Sequence, residues 1–348
     1  MTHDPKAPHG GPAITRRRAM TVMGVAASLP WVGVADRPDT ASDTAPLLYQ
    51  WNGTSLGSPS HLLLYHHDHA TASRIVGECA AEIERLERIF ALYRTDSEIT
   101  RLNRYGHIEF PSADLLTVLS QCQVVSSLSR GAFDVSVQPL WTLYATHFFG
   151  GIAPQAEGPS PHAIELVRKL IDWQAIELGP RRISLGQAGM GLTLNGVAQG
   201  YITDRVMNIL REHGCDRTLS NMGYSEIKAV GRHADGRPWR VGLTDPRQPD
   251  TFAACVDLFD RSVCTSGGYS TKFEASGRFH HLFDPATGTS ANHYIAVSVF
   301  ASEAIVADAL STALYVTPPE RAKTMLASFP DVNALATMPD GTVRHLSA

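Results

Sequence analysis

Helical and strand-like segments alternate irregularly along this chain, and that irregular order is the strongest constraint on its fold. Apolar residues at steps of three and four predict a long amphipathic helix over residues 75–93 and a second helix over residues 112–129. Further helices are predicted within residues 161–172 and 301–316. Because strands fall between these helices without a repeating βαβ order, the chain predicts one α+β domain with mixed sheets and packed helices.

Several segments between the helices have strand or turn patterns. The first strand is predicted near residues 60–66, and a second over residues 131–141, GAFDVSVQPLW. Residues 175–194 predict a pair of short strands around a turn. Residues 239–258 predict a hairpin whose turn opens at Asp245 and Pro246.

The amino-terminal region has the composition of an export signal. Consecutive arginines precede an uncharged, moderately apolar run that ends in small residues at Ala35. This order predicts a cleavable signal peptide over residues 1–35, and the arginines favour the twin-arginine export route. The run is shorter than the roughly 20 apolar residues that a membrane-spanning helix needs. We therefore predict a periplasmic protein in which residues 36–59 form a leader and residues 60–348 form the domain.

Charge and cysteine content argue against some classes of protein. The formal net charge is −4, and the 30 Lys and Arg residues form no basic stripe with interleaved aromatic residues, so nucleic-acid binding is not predicted. The 5 cysteines are odd in number and show no Cys-x-x-Cys spacing, which argues against a zinc site or a disulfide scaffold. A single disulfide between Cys255 and Cys264 stays an alternative.

Three polar stretches are candidates for ligand binding. In residues 93–103, YRTDSEITRLN, Tyr93 ends the first helix and could stack on a flat ligand, although the Thr, Asp and Glu that follow also suit an ordinary helix cap. In GAFDVSVQPLW, Asp134 interrupts an apolar run, so it needs a partner or a ligand unless it faces water. In residues 192–210, LTLNGVAQGYITDRVMNIL, a strand, a glycine loop and a helix offer backbone groups to phosphate or metal.

A fourth candidate pairs residues 280–290, HHLFDPATGTS, with the helix of residues 301–316. On that helix Asp308 and Thr312 are four residues apart and share one face. Their carboxylate and hydroxyl oxygens are hard ligands that suit Mg²⁺, which also borrows substrate phosphates. A solvated polar face is the competing interpretation, and the Asp-Pro and Thr-Gly pairs of HHLFDPATGTS are also ordinary turn residues.

The order of these stretches resembles that of the ApbE family of FAD:protein FMN transferases. The resemblance spans about residues 93–316 and rests on motifs in the family's order: YRTDSEITRLN, GAFDVSVQPLW, LNGVAQGYITDRV, TSGGYSTKFE, HLFDPATG and ADALSTAL. It implies a transferase that takes FAD, splits its pyrophosphate with Mg²⁺, and joins FMN to a Ser or Thr of a partner protein by a phosphoester bond, releasing AMP. The implied partner is a membrane-bound or periplasmic acceptor flavoprotein.

The same resemblance implies roles for individual residues. His281 is implied as the general base that takes the proton from the acceptor hydroxyl. Mg²⁺ is implied to bind the Gly196 carbonyl, Asp308 and Thr312. The residues implied to contact FAD are Tyr93, Ala132, Phe133, Asp134, Thr193, Gln199 and the backbone at Leu282.

Some positions depart from the family pattern. Gln199 stands where many members carry Lys or Glu, and Ser311 stands where some place a second carboxylate. Residues 223–227, GYSEI, replace the usual Gly-Gly-Asp. Together with Gln199, this replacement resembles an exported branch of accessory proteins of nitrous-oxide respiration. Gln199 and Ser311 leave one alternative, a periplasmic protein that binds FAD without transferring FMN. The same site residues leave another, a metal-dependent FAD pyrophosphatase in which water replaces the acceptor hydroxyl and FMN and AMP are released.

Overall fold

The computed structural model describes residues 46–151 and 157–346. The predicted signal peptide and the first part of the predicted leader lie outside the described residues. The described residues belong to one compact unit of the chain. Within them, no helix combines the length and the apolar character needed to cross a membrane.

Helices and strands of the described residues follow each other without a simple repeat. The helices are α1 (His69–Phe90), α2 (Glu98–Tyr105), α3 (Ala113–Leu128), α4 (Gln138–Phe149), α5 (Pro161–Arg168), α6 (Ala198–Glu212), α7 (Ala304–Val316) and α8 (Pro319–Leu326). The strands are β1 (Leu47–Ser55), β2 (Ser58–His66), β3 (His107–Glu109), β4 (Ile176–Leu178), β5 (Arg182–Leu185), β6 (Thr218–Asn221), β7 (Ile227–Val230), β8 (Trp239–Asp245), β9 (Gln248–Leu258), β10 (Arg261–Gly267), β11 (Phe283–Asp284), β12 (Thr289–Ser290), β13 (Ala296–Ala301), β14 (Asn333–Thr337) and β15 (Val343–Leu346).

A large antiparallel sheet forms the centre of the domain. It has 8 strands in the order β1-β2-β6-β7-β10-β13-β14-β15. A three-stranded sheet, β3-β5-β4, and two hairpins, β8–β9 and β11–β12, accompany it. This mixture of sheets and packed helices confirms the predicted α+β fold class.

The large sheet buries its two faces against different elements. Leu62 and Leu64 of β2 point into the main core, to which helices α1, α3, α6 and α7 contribute. Leu63 lies between them in sequence and therefore faces the opposite side. There it packs with Trp239 of β8 and Leu258 of β9. The hairpin β8–β9 thus covers one face, and the helices that carry most of the candidate site cover the other.

The predicted strand over residues 131–141 is wrong. Residues 131–136 form turns and bends, Val137 forms an isolated bridge with Gly191, and helix α4 begins at Gln138. Pro139 lies in the first helical turn, where a backbone N–H has no partner within the helix. Leu140, Tyr144 and Phe148 then recur at helical spacing and pack in an aromatic cluster. The apolar run had the length of a strand, but its period was that of a helix.

The interpretation of residues 36–59 as a leader is wrong from Leu47 onward. Strand β1 pairs with β2 along its whole length, from Leu47 opposite His66 to Ser55 opposite Ser58. Its side chains are mostly exposed or half-buried, as is usual for an edge strand, so the sequence carries little apolar signal there.

Other local predictions agree with the structure. Helix α3 closely matches the predicted residues 112–129. Helix α1 is present but spans His69–Phe90 instead of residues 75–93, because Asp68 caps it earlier, and Tyr93 lies in the turn that follows the helix. The hairpin over residues 239–258 is also present, as β8 and β9. All 5 cysteines are free, so Cys255 and Cys264 form no bridge.

Candidate active site

Helix α7 carries Asp308 and Thr312 and is held at its beginning by helix α6. The two carboxylate oxygens of Asp204 accept hydrogen bonds from the N–H groups of Ala304, at 3.0 Å, and Ile305, at 2.9 Å. Helix α7 has no side-chain cap of its own, so this carboxylate satisfies its first donors. Lys228 pairs with the same carboxylate at 2.5 Å. The register of α7 against α6 is therefore fixed within a few residues of Asp308.

Two glycines allow the start of α6 to approach α7 closely. A Cβ atom on Gly196 would lie 2.8 Å from Oγ1 of Thr312, and one on Gly200 would lie 2.4 Å from the Ala304 carbonyl oxygen. Both distances are too short for any other residue without movement. The structure therefore brings together Gly196, Asp308 and Thr312, which the family resemblance implied as one ligand set.

Asp308 is a buried carboxylate with one unused oxygen. Its side chain is 4% exposed, and Oδ2 accepts a hydrogen bond from the Gly200 N–H at 2.9 Å. No hydrogen bond to Oδ1 occurs within residues 46–151 and 157–346. Burial raises the pKa of Asp308 well above its usual range, and the nearby Glu226 carboxylate raises it further. The solvated polar face considered for this helix is thus wrong, because Asp308 and Ser311 are both buried.

Glu226 is a second buried carboxylate at the site, and sequence reasoning gave it no role. It is 7% exposed and accepts hydrogen bonds from the N–H and the hydroxyl of Ser225. Burial raises its pKa. Gln199 lies close to it, since a Cβ atom on Gly223 would be 2.0 Å from Oε2 of Glu226 and 2.8 Å from Nε2 of Gln199. The departure of GYSEI from the family pattern was the available signal.

The end of β10 links Thr312 to the histidine turn. The Ser266 hydroxyl lies 3.0 Å from Oγ1 of Thr312 and 2.7 Å from Oγ of Ser311. Five residues further on, the carbonyl oxygen of Thr271 accepts the backbone N–H of His281 at 3.2 Å. The same oxygen lies 3.3 Å from Nδ1 of the His281 ring. One short segment thus contacts both the proposed metal ligand and the proposed base.

His281 is half-buried, and burial followed by the neighbouring His280 ring lowers its pKa to about 4. The ring is therefore neutral at neutral pH. Because a carbonyl oxygen can only accept, the contact with Thr271 places the proton on Nδ1 and leaves the lone pair on Nε2. This tautomer suits a general base.

Both carboxylate oxygens of Asp134 accept hydrogen bonds from neighbouring residues of the chain. Its Oδ1 accepts the N–H of Ser136 at 2.8 Å and the hydroxyl of Ser136 at 2.6 Å, and its Oδ2 accepts the N–H of Trp173 at 3.1 Å. Burial raises its pKa. Phe133 is 3% exposed and belongs to the main core. Among the implied contacts of this segment, half-buried Ala132 is the most accessible.

The other residues implied to contact FAD differ in accessibility. Tyr93 is 48% exposed, and burial together with Glu87 raises the pKa of its hydroxyl. Thr193 is half-buried and donates its N–H to the Val135 carbonyl at 2.8 Å. Leu282 is buried, and both its N–H and its carbonyl are hydrogen-bonded inside the turn.

Contacts of the short turn between β1 and β2 connect Tyr93 to Gln199. Glu87, which raises the pKa of the Tyr93 hydroxyl, accepts the N–H of Leu56 at 2.8 Å, and Gln199 donates to the Ser55 carbonyl at 3.5 Å. Within the described residues no hydrogen bond joins this group to His281. The candidate site thus has two parts: a rim around Tyr93 and Gln199, and a polar centre at Asp308, Thr312 and His281.

Comparison with known proteins places the chain in a family. A profile of the ApbE family matches residues 56–336. The FAD:protein FMN transferase of Treponema pallidum is 32% identical over 282 residues, which cover 75% of this chain and 76% of the relative. A protein of the same name from Klebsiella pneumoniae is 29% identical over 295 residues, covering 83% of this chain and 88% of the relative.

Solved structures agree with that placement. The apo form of the Pseudomonas stutzeri flavinyl transferase ApbE aligns with a TM-score of 0.75 at 27% identity, covering 88% of this chain and 96% of the other. The flavin transferase ApbE of Vibrio cholerae aligns with a TM-score of 0.73 at 24% identity, covering 86% of this chain and 97% of the other, and supports the fold. The chain belongs to the ApbE family.

Proposed function

We propose that this protein is an FAD:protein FMN transferase. In the reaction, a Ser or Thr hydroxyl of an acceptor attacks the phosphorus of the FMN half of FAD. A phosphoester bond forms to the acceptor, the phosphorus–oxygen bond to AMP breaks, and AMP leaves. Family membership and the names of the relatives support the reaction class. The observation that carries the mechanism is the His281 tautomer, with its Nδ1–H directed at the Thr271 carbonyl.

His281 acts as the general base in this proposal. Its Nε2 takes the proton of the acceptor hydroxyl as the new ester bond forms. The low pKa keeps the ring unprotonated at neutral pH, so the lone pair is available. The contact with Thr271 also restrains the ring, which reduces the number of orientations that Nε2 samples.

The residues at Asp308 fit a magnesium ion. Among the described residues, no three His, Cys, Asp or Glu side chains are grouped so that they could hold a metal. The proposed set is of another kind, with one carboxylate from Asp308, the hydroxyl of Thr312 and the carbonyl of Gly196. Two buried carboxylates, Asp308 and Glu226, have no Lys or Arg partner among the described ion pairs, and a divalent cation would compensate their charge. When bound, Mg²⁺ supplies charge neutralisation of the pyrophosphate.

The remaining implied residues would orient FAD. Exposed Tyr93 offers a ring face to the isoalloxazine, and Gln199 offers an amide close to Glu226. Thr193, Ala132 and the backbone at Leu282 would line the pocket. Phe133 and Asp134 act beneath the surface in this proposal, because their side chains are buried and Asp134 is fully hydrogen-bonded.

The place of action is proposed from the amino-terminal sequence alone. The arginine-rich, moderately apolar segment supports export by the twin-arginine route to the periplasm. An exported transferase would modify a membrane-bound or periplasmic redox protein, which becomes a flavoprotein by receiving FMN.

Intact-mass spectrometry of an acceptor domain tests the proposed function. The protein is incubated with FAD, Mg²⁺ and a domain that carries a flavinylation motif, with EDTA in a parallel sample. Addition of one FMN to a Ser or Thr, lost in EDTA, is the expected result. An unmodified acceptor with FAD still bound would favour the FAD-binding alternative. Release of free FMN and AMP without an acceptor would favour the pyrophosphatase.

A further inference from the structure

His280 is buried beside His281 and makes an unusual set of contacts. Its side chain is 1% exposed, and its Nδ1 accepts the N–H of Leu282 at 3.2 Å. Its own N–H donates to the Ser290 hydroxyl at 2.8 Å, and that hydroxyl donates to the His280 carbonyl at 2.7 Å. The main chain on both sides of His281 is therefore tied to the side chains of His280 and Ser290.

The His280 ring fits into a preformed seat. A Cβ atom on Gly268 would lie 2.6 Å from Cδ2 of the ring, so the imidazole packs directly on the glycine backbone. The Tyr315 ring approaches at 5.8 Å in an edge-on arrangement, and the hydroxyl of Tyr315 accepts the Gly268 N–H at 3.2 Å. Gly268 and Tyr315 thus hold the ring in one orientation.

The polarity of this seat favours a neutral imidazole. Acceptance at Nδ1 requires the tautomer with the proton on Nε2, and Nε2 has no hydrogen-bond partner among the described residues. Burial lowers the pKa of His280 to about 4. The titratable groups around the ring are His281, Tyr315 and Lys272, which lies across an isolated bridge from His280. None of these offers a negative charge that would stabilise the imidazolium.

We propose that His280 is a positioning residue for FMN transfer, whose Nδ1 accepts the Leu282 N–H and thereby fixes the main chain that presents His281. The contact has the i to i+2 geometry with which Asn and Asp side chains stabilise turns. His281 then keeps its own contacts with Thr271, and its Nε2 stays aimed in one direction. This inference rests on the proposed function, because it assigns His281 as the base.

Two substitutions separate the acceptor atom from the bulk of the ring. His280→Asn keeps an acceptor at the position of Nδ1, because Oδ1 of Asn is the same number of bonds from Cα. His280→Phe keeps a ring against Gly268 and Tyr315 but has no acceptor. We expect His280→Phe to lower kcat about 10- to 100-fold with KM for FAD within about threefold, and His280→Asn to stay within about threefold of wild type.

An NMR titration of His281 in the metal-free, FAD-free protein gives a readout independent of transfer. Both variants lose the neighbouring imidazole, so the difference between them reports the acceptor. In His280→Phe the turn is released, and the pKa of His281 is expected to rise toward about 6.5, the ordinary value of histidine. In His280→Asn it is expected to stay about one pH unit or more below that of His280→Phe.

Ser290→Ala keeps the experiment decisive if His280→Phe does not fold. It removes the second tie on the His280 backbone and leaves the ring in place, so it is expected to raise the pKa of His281 and lower kcat. Equal values of kcat and of the His281 pKa in His280→Asn and His280→Phe would overturn the proposal, as would a Ser290→Ala variant identical to wild type. Absence of FMN transfer by the wild type would overturn the proposed function instead, and the titration would still decide the role of His280.

Discussion

The backbone N–H of Gly200 donates a hydrogen bond to Oδ2 of Asp308 at 2.9 Å, which places the start of helix α6 directly against the carboxylate of helix α7. This bond uses one carboxylate oxygen and leaves Oδ1 without a hydrogen bond among the described residues. The same close approach brings the loop at Gly196 to Thr312. The spacing of the two helices therefore sets the geometry of the proposed metal site.

Gly200→Ala is expected to disrupt that spacing. The new Cβ would lie 2.4 Å from the Ala304 carbonyl oxygen and 2.7 Å from the Asp308 Cβ, so the helices must move apart. We expect the free energy of unfolding to fall by about 2–3 kcal/mol, as measured by chemical denaturation. The control is Gly77→Ala in helix α1, where nothing lies within 4 Å of the new Cβ. There we expect a gain of about 0.5–1 kcal/mol, and equal losses in both variants would contradict the argument.

Asp308→Asn is expected to separate stability from activity. The amide oxygen can still accept the Gly200 N–H, while the buried negative charge beside Glu226 disappears. We therefore expect the free energy of unfolding in EDTA to stay the same or rise by up to about 1 kcal/mol, while FMN transfer is lost. Denaturation curves and intact-mass assays of the same samples test this.

Asp134→Asn is the matched control for that substitution. Both oxygens of Asp134 accept hydrogen bonds, from Ser136 and from the Trp173 N–H, and an amide nitrogen cannot accept in either position. It is expected to destabilise the protein by about 1–3 kcal/mol. A loss of stability in Asp308→Asn as large as in Asp134→Asn would argue that Asp308 is only a structural residue.

Local sequence signals predicted the fold where the spacing of apolar residues matched a single type of secondary structure. The helix over residues 112–129 and the hairpin over residues 239–258 followed from their periodicity and turn residues. Strand β1 was missed because an edge strand needs few apolar side chains, and its partner β2 supplies the hydrogen bonds. The start of α4 was missed because Pro139 was assigned to a strand instead of to the first turn of a helix.

The sequence predicted which residues of the candidate site share a helical face, but not how deeply they are buried. A separation of four residues placed Asp308 and Thr312 on one helical face, and family order supplied Gly196 and His281. Burial could not be predicted, because the main core that excludes water around α7 is assembled from distant segments. For the same reason the burial of Glu226 beside Asp308 could not be predicted, although the departure of GYSEI from the family pattern marked its segment. Family membership is confirmed, whereas the roles of individual residues stay predictions until the variants are measured.

His281→Ala is expected to abolish FMN transfer while FAD still binds. Loss of a general base lowers kcat by about 10²–10⁴-fold, and the rim residues around Tyr93 are left intact. Intact-mass kinetics give the rate, and FAD titration gives the affinity, which we expect within about threefold of wild type. His162→Ala, at an exposed position on helix α5, is the control and should keep the wild-type rate. Normal transfer by His281→Ala would rule out this residue as the base.

The stability of the protein is expected to fall on acidification, in part through His281. Its pKa is about 4 in the folded protein, below the ordinary value of about 6.5 that the unfolded chain keeps. Between these values the unfolded state binds more protons, so the free energy of unfolding rises with pH. His281→Asn removes this titration. Between pH 7 and pH 5 its free energy of unfolding should therefore fall by about 2 kcal/mol less than that of the wild type. Denaturant titrations at both pH values, without FAD and in EDTA, measure the difference. Parallel pH profiles for the two proteins would mean that His281 has an ordinary pKa in the folded state.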